Sequence, residues 1–432
     1  MRKAMIVIAV LAGALLQGAE RPYYDVSLQA ARWIESSAIR TPQGTAWPSD
    51  PRDAKTVRTD LYSGTPGIVL FFIEAFHATG DRSYLDMARS GAEYLIAKMP
   101  EEKGNGLYEG LSGIGFALLE AGKATGDKKM QQAARQCVDW IRSRARARGK
   151  GIEWSETTDI ISGNAGTGLF LLYAARELKD TRLRDLAAQA GRRLMELGKP
   201  ENGGLKWAMA PDYPNLMPNF SHGTAGIAYF LATLYRETKD KEFLQAALSG
   251  ARYLQSVAKT EGDTCLIFHH VPGGEDLHYL GWCHGPTGTG RLFYRLYQAT
   301  GDSVWLEWFK KSARGLLRSG IPEKQTPGFW NNVSQCCGSA GVAEFSLEVF
   351  RVTRDPAYLQ FARRLTADLI SRATRNGGAA RWIQAEHRVR PELLVAQTGF
   401  MQGAAGIGMW LLHFDAFERG KKSLIAFPDS PF

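Results

Sequence analysis

Beyond its first twenty residues this 432-residue chain has no apolar run near the ~18 residues a membrane-crossing helix needs, which excludes a multi-span membrane protein. It has no GxxxxGK loop, and the Gly163-to-Gly168 and Gly285-to-Gly290 clusters open apolar helical stretches without a preceding strand, so nucleotide binding is not expected. No charge block, low-complexity stretch or Pro-rich linker marks a domain boundary. Cysteine is scarce and odd in number, at five, so the chain cannot pair all its thiols internally. The formal charge of +9 is spread rather than clustered, and no nucleic-acid partner is expected. With 44% hydrophobic and 22% charged residues, the composition is that of a packed protein with a large core.

Glycine is what the chain has in excess, at 46 residues, about half as many again as the usual ~7%. The excess resolves into one motif, two glycines three apart, at Gly64/Gly67, Gly110/Gly113, Gly163/Gly166, Gly223/Gly226, Gly285/Gly288, Gly338/Gly341 and Gly403/Gly406. Successive copies are 46, 53, 60, 62, 53 and 65 residues apart, a repeat architecture. Apolar stretches of helical length follow, as in Ile68 to Ala75 and Ile227 to Tyr235, and predict buried helices. Amphipathic stretches such as Tyr84 to Leu95 and Phe243 to Leu254 lie between them. Connectors of the form Thr79-Gly80-Asp81 combine a glycine stop with an aspartate start.

The expected unit is a buried inner helix, a tight turn and an outer amphipathic helix. Inner helices this apolar rule out a solvated concave face. About seven helical hairpins are therefore expected to close into an all-α, double-layered α/α toroid, with every glycine pair at one end.

At the N-terminus, Arg2 and Lys3 precede an uncharged apolar run from Ala4 to Leu16 and the small pair Gly18-Ala19. This reads as a signal peptide over residues 1–19, with 20–432 as one exported domain, periplasmic or secreted. A membrane tether is the lesser reading, and no stable span is expected after cleavage.

Chemistry concentrates just before the glycines of four successive repeats. Cys283, Cys336 and Cys337 supply three thiolates from two loops, a set suited to Zn²⁺ with the fourth tetrahedral position open. The alternative is a set of buried small side chains or an oxidised pair. Cys137 and Cys265 lie away from any glycine loop and read as core. His222 and His284 are candidates for acid/base work, for a fourth ligand, or for plain hydrogen bonding to neighbouring loops. Asp159 reads as the carboxylate that orients a histidine, or as a helix cap. His269-His270 falls in a polar insertion and reads as surface or loop.

The segments Ser221-His222-Gly223-Thr224-Ala225-Gly226, Trp282-Cys283-His284-Gly285-Pro286-Thr287-Gly288 and Cys336-Cys337-Gly338-Ser339-Ala340-Gly341 resemble the signature loops of the lanthionine synthetase C family. The resemblance covers essentially the whole chain after the N-terminal segment. It implies a zinc-dependent cyclase on an α/α toroid, adding a peptide cysteine to dehydroalanine or dehydrobutyrine to form a thioether. The dehydrated peptide would come from a separate dehydratase. Most members carry histidine where this chain has Cys337, and often arginine where it has Tyr279. Trp-Cys-His is closer to the eukaryotic branch, which keeps two further readings in view: addition of glutathione or another small thiol to dehydroamino acids, and a non-catalytic zinc- or peptide-binding toroid.

Overall fold

A computed structural model describes residues 20–432. The segment read as a signal peptide, residues 1–19, lies outside the described residues. Among the described residues, fourteen α-helices alternate between an outer and an inner layer. They are outer α1 (Pro22–Ser36), inner α2 (Thr65–Thr79), outer α3 (Arg82–Lys98), inner α4 (Leu111–Thr125), outer α5 (Lys128–Arg144), inner α6 (Asn164–Glu177) and outer α7 (Arg182–Leu197). Inner α8 (Thr224–Thr238), outer α9 (Lys241–Val257), inner α10 (Pro286–Thr300), outer α11 (Ser303–Leu317), inner α12 (Ser339–Thr353), outer α13 (Pro356–Ser371) and inner α14 (Ala404–Glu418) complete them.

The inner helices neighbour one another in chain order, and α14 returns to α2, closing the toroid. Six inner helices pair with the outer helix that follows them. The seventh pair is made from both ends of the chain, because no helix follows α14 among the described residues and α1 packs on it instead. Ser27 Oγ donates to Gly408 O at 2.8 Å, and Arg21 Nε to Asp415 Oδ1 at 3.2 Å, across that junction.

Local chemistry accounts for the helix boundaries. The first glycine of each motif is the N-cap of its inner helix in all seven copies. Gly80, Gly126 and Gly301 end three inner helices in the left-handed conformation, where no Cβ opposes it. Asp81, Asp127, Asp240, Asp302 and Asp355 then cap the next helix, each accepting a backbone N–H two residues on.

The second glycines keep neighbouring loops in contact. A Cβ at Gly226 would lie 2.0 Å from Phe220 O and 2.9 Å from Ile160 Cδ1, and one at Gly67 would lie 2.4 Å from Phe400 Cβ across the closure. Backbone hydrogen bonds of 2.8–3.3 Å follow the same circuit. Tyr62 N donates to Tyr108 O, Tyr108 N to Ile161 O, Ile160 N to Ser221 O and Ser221 N to Cys283 O. Cys283 N donates to Cys336 O, Cys336 N to Met401 O, and Met401 N back to Tyr62 O. The mouth of the toroid is thus stitched by a closed circle of main chain, and two of the three candidate cysteines are members of it.

Short antiparallel hairpins after several outer helices carry no glycine-pair signal. They are β1 (Ile39–Thr41) with β2 (Gly44–Ala46), β3 (Arg146–Arg148) with β4 (Gly151–Glu153), β5 (Lys199–Glu201) with β6 (Gly204–Lys206), and β7 (Thr374–Asn376) with β8 (Ala379–Arg381). Each ends in a tryptophan, Trp47, Trp154, Trp207 or Trp382, whose indole N–H donates to the carbonyl thirteen residues back, near the end of the preceding outer helix, at 2.6–3.0 Å. A fifth hairpin, β9 (Ile383–Ala385) with β10 (Leu394–Ala396), leads into the last glycine loop.

The C-terminal tail turns back beneath the mouth. Phe427 stacks on Phe400 with centroids 4.6 Å apart, and fully buried Asp429 accepts from Trp282 Nε1 at 3.2 Å and Tyr108 Oη at 3.3 Å. No helix among the described residues is long and apolar enough to cross a membrane.

Candidate metal centre and active site

Cys283 is held by the circle of loop hydrogen bonds at both its N–H and its carbonyl, and Cys336 likewise. Gly281 lets these two loops meet, since a Cβ there would sit 2.6 Å from Cys337 Cα. The result is three buried, unbridged thiols. Cys337 Sγ lies 3.4 Å from both Cys283 Sγ and Cys336 Sγ, and all three sulfurs fall within 4.8 Å of one another.

A disulfide needs ~2.05 Å, so these contacts are not bonds, whereas three sulfurs sharing one Zn²⁺ at ~2.3 Å each would lie at comparable mutual distances. The donor set fits that ion. Tyr62 Oη donates to Cys336 Sγ at 3.3 Å and itself accepts from Gln402 Nε2 at 2.9 Å, a supporting layer behind the sulfurs. Hydrogen bonds from Cys283 and Cys337, joined by Tyr62 against the cost of burial, hold the Cys336 thiol well below its ordinary range. The contact with Cys336, together with burial, pushes Cys283 well up, and the contacts with Cys283 and Cys336 push Cys337 well up. Cys137 and Cys265 stand apart from this cluster, and burial pushes each up to about 12.

His222 precedes the N-cap of α8. Its Nδ1 lies 2.6 Å from Asp159 Oδ2, and Asp159 is fully buried. Asp159 Oδ1 accepts from Ser162 N at 2.9 Å and Gly163 N at 2.8 Å. One carboxylate therefore both fixes its own loop and holds the imidazole. Burial works against the His222 cation, yet the Asp159 hydrogen bond and charge raise the imidazole above its ordinary value. The Asp159 contact on Nδ1 leaves Nε2 as the ring's other proton-carrying atom.

His284 differs in every respect. It is buried, its Nδ1 has no partner among the described residues, and burial together with His269 and His222 holds it well below the ordinary imidazole range, which favours the uncharged ring.

His269 lies in a loop, as read, but not on the outer surface: half-buried, it stacks on His284 with ring centroids 4.0 Å apart and lines the same cavity of about 220 Å³ as the cysteines. Burial, then His270, lowers it to about 4. No motif spacing marks it, since the insertion that carries it folds back by a bridge between Leu216 and Val271. Arg388 is likewise unmarked, whereas the sequence marks Tyr279 only as standing where the family often carries arginine; both line that cavity. The structure therefore gathers Cys283, Cys336, Cys337, His222 and His284 around one cavity, with Asp159 behind His222.

A sequence profile of the family described as lanthionine synthetase C-like protein matches residues 55–428. Comparison with curated proteins returns no match. Among solved structures, nisin cyclase is similar over 94% of this chain and 95% of its own, with a TM-score of 0.66 and 18% identity. The Lin0763 protein from Listeria innocua matches over 93% and 99%, with a TM-score of 0.53 and 12% identity. An inactive variant of the α-1,6-mannanase GH76A of Salegentibacter sp. HEL1_6 matches over 90% and 98%, with a TM-score of 0.51 and 14% identity. At such identities the likeness is one of fold, and the toroid by itself does not select a chemistry.

Proposed function

Because the chain belongs to the lanthionine synthetase C-like family, we propose that it is a zinc-dependent enzyme that adds a thiol to dehydroalanine or dehydrobutyrine in a peptide, forming a thioether. The observation that carries this reading is the convergence of three buried sulfurs from two distant loops on one point beside a carboxylate-held histidine. Cys283, Cys336 and Cys337 would hold the ion. A Zn²⁺ there supplies Lewis acidity that keeps an incoming thiol deprotonated at neutral pH.

The chain's own groups account for the rest. The sulfur–carbon bond forms at the β-carbon, and the alkene pair moves onto the carbonyl oxygen as an enolate. His222, whose protonated form Asp159 favours, delivers its Nε2 proton to the α-carbon, and the proton lost by the thiol restores the imidazolium. Atoms balance without oxidant or reductant. His269 and His284, both neutral, form an uncharged wall that does not compete for that proton. Tyr62 and Gln402 orient the sulfurs.

The addition leaves peptide mass unchanged, so the test counts free thiols. A dehydrated, cysteine-containing peptide incubated with protein and zinc should lose its reactivity to a thiol-alkylating reagent, at a rate above that of zinc alone. A parallel arm with glutathione reads the small-thiol alternative as a mass gain. If neither changes, the enzymatic reading is wrong. We further propose that residues 1–19 direct export and that 20–432 acts as one unit; the mature N-terminal residue of the native protein tests the first point.

A further inference from the structure

Attack at the β-carbon builds negative charge on the carbonyl oxygen, so the site needs a hydrogen-bond donor backed by positive charge that is not consumed in the reaction. His222 is committed to the proton, and His269 and His284 stack face to face on one another with ring centroids 4.0 Å apart. The wall also carries Arg388, from the loop between β9 and β10. Its Nε donates to Tyr279 Oη at 3.4 Å.

Among the described residues Arg388 forms no ion pair. The carboxylate on the same wall, Glu386, is engaged by Gln397 Nε2 at 2.7 Å and faces His387 at 3.9 Å. Tyr279 accepts from Arg388, so its own hydroxyl hydrogen is left to donate into the cavity. Its ring is wedged edge-on against His269 at 4.3 Å and tilted on Trp330 at 5.1 Å. A Cβ at Gly328 would come within 3.0 Å of Tyr279 Cα, which shows how closely the segment is clamped. The tyrosine stands on the same loop as Cys283, four residues before it, so donor and sulfur are placed by one piece of chain. Burial pushes the phenol up to about 12, with Arg388 pulling the other way, and it stays a neutral donor at physiological pH.

We propose that Tyr279 donates the hydrogen bond that stabilises the enolate oxygen, and that Arg388 is the positioning residue that polarises Tyr279. The inference rests on the thioether-forming reading, and one of its two tests does not depend on activity. In metal-free, reduced protein the cavity thiols are alkylated with iodoacetate and with iodoacetamide. These reagents differ only in the charge placed where the enolate oxygen would lie, and thiol ionisation cancels in the ratio.

After normalising to a free thiol, the native protein should favour the anionic reagent by about tenfold. Arg388→Gln should abolish the preference, Arg388→Lys should retain most of it, and Tyr279→Phe should weaken it. In the thioether assay, Tyr279→Phe should lower kcat by about a hundredfold with little change in KM. Equal ratios for the native protein and Arg388→Gln, or an unaltered kcat in Tyr279→Phe, overturn the proposal. A native protein that shows the anion preference but forms no thioether overturns the enzymatic reading and leaves the oxyanion pocket standing.

Discussion

Replacing Asp159 by asparagine keeps the side chain's shape and removes its charge. The amide oxygen can still accept from Ser162 N and Gly163 N, so the loop before α6 should hold. The amide nitrogen then faces His222 Nδ1 across what was a 2.6 Å contact, donor against donor unless the imidazole moves its proton to Nε2. A charge-assisted hydrogen bond in so buried a place is worth about 1.5–3 kcal/mol, and one pKa unit corresponds to ~1.36 kcal/mol, so His222 should fall by about one to two units. Since His222 is raised in the folded protein, its acid form persists from low pH and is lost as pH rises through the raised value. The alkaline limb of kcat should therefore shift to lower pH by about one to two units, with turnover above neutrality down about 10- to 100-fold. The same pair stabilises the fold fully below the ordinary imidazole value of ~6.5 and ceases to do so as pH rises through the raised one, so the variant's Tm deficit should be largest in mild acid and shrink with increasing pH. A pH–rate profile of thioether formation, with nitrogen NMR of the His222 ring, reads both. An alkaline limb that does not move would refute the assignment of His222 and Asp159 as a coupled acid.

Cys283→Ala should lower bound zinc from about one per chain to well below it and abolish thioether formation, whereas His222→Asn should keep the metal and lose turnover; metal analysis beside the thiol count separates them. Gly226→Ala drives a methyl group to 2.0 Å from a carbonyl oxygen and should cost about 3 kcal/mol in a melting experiment, or prevent folding. His413, mostly enclosed between Glu74 at 3.3 Å and Glu344 at 3.8 Å, is opposed by desolvation yet raised to about 10 by those carboxylates. Its contribution to stability is complete below the ordinary value of ~6.5 and is lost as pH rises through about 10. Tm should fall over that interval in the native protein, and the fall should be smaller in His413→Gln.

The seven glycine pairs were legible because each acts locally. The first glycine is an N-cap and the second clears a path for its own loop's carbonyl, so the backbone demand is written at a fixed spacing. The three cysteines were legible for a related reason: they occupy equivalent places in successive copies, and a closed repeat brings equivalent places together. The tryptophan-ended hairpins were also present as a pattern, Gly-x-x-Trp in three of the four, but the glycine pairs overshadowed it.

Long-range encounters were another matter. That α1 would supply the seventh outer helix depends on the chain's two ends meeting across the closure, which no local period encodes. His269 reaches His284 through an insertion, and Arg388 reaches Tyr279 from 109 residues away on an irregular loop. Sequence determined which loops would bring Cys283, Cys336, Cys337 and His222 together, because covalent spacing fixes what a repeat presents at its mouth. Tertiary structure alone decided which charges and imidazoles face those loops, because contacts between different loops depend on packing and burial, and neither leaves a period in the chain.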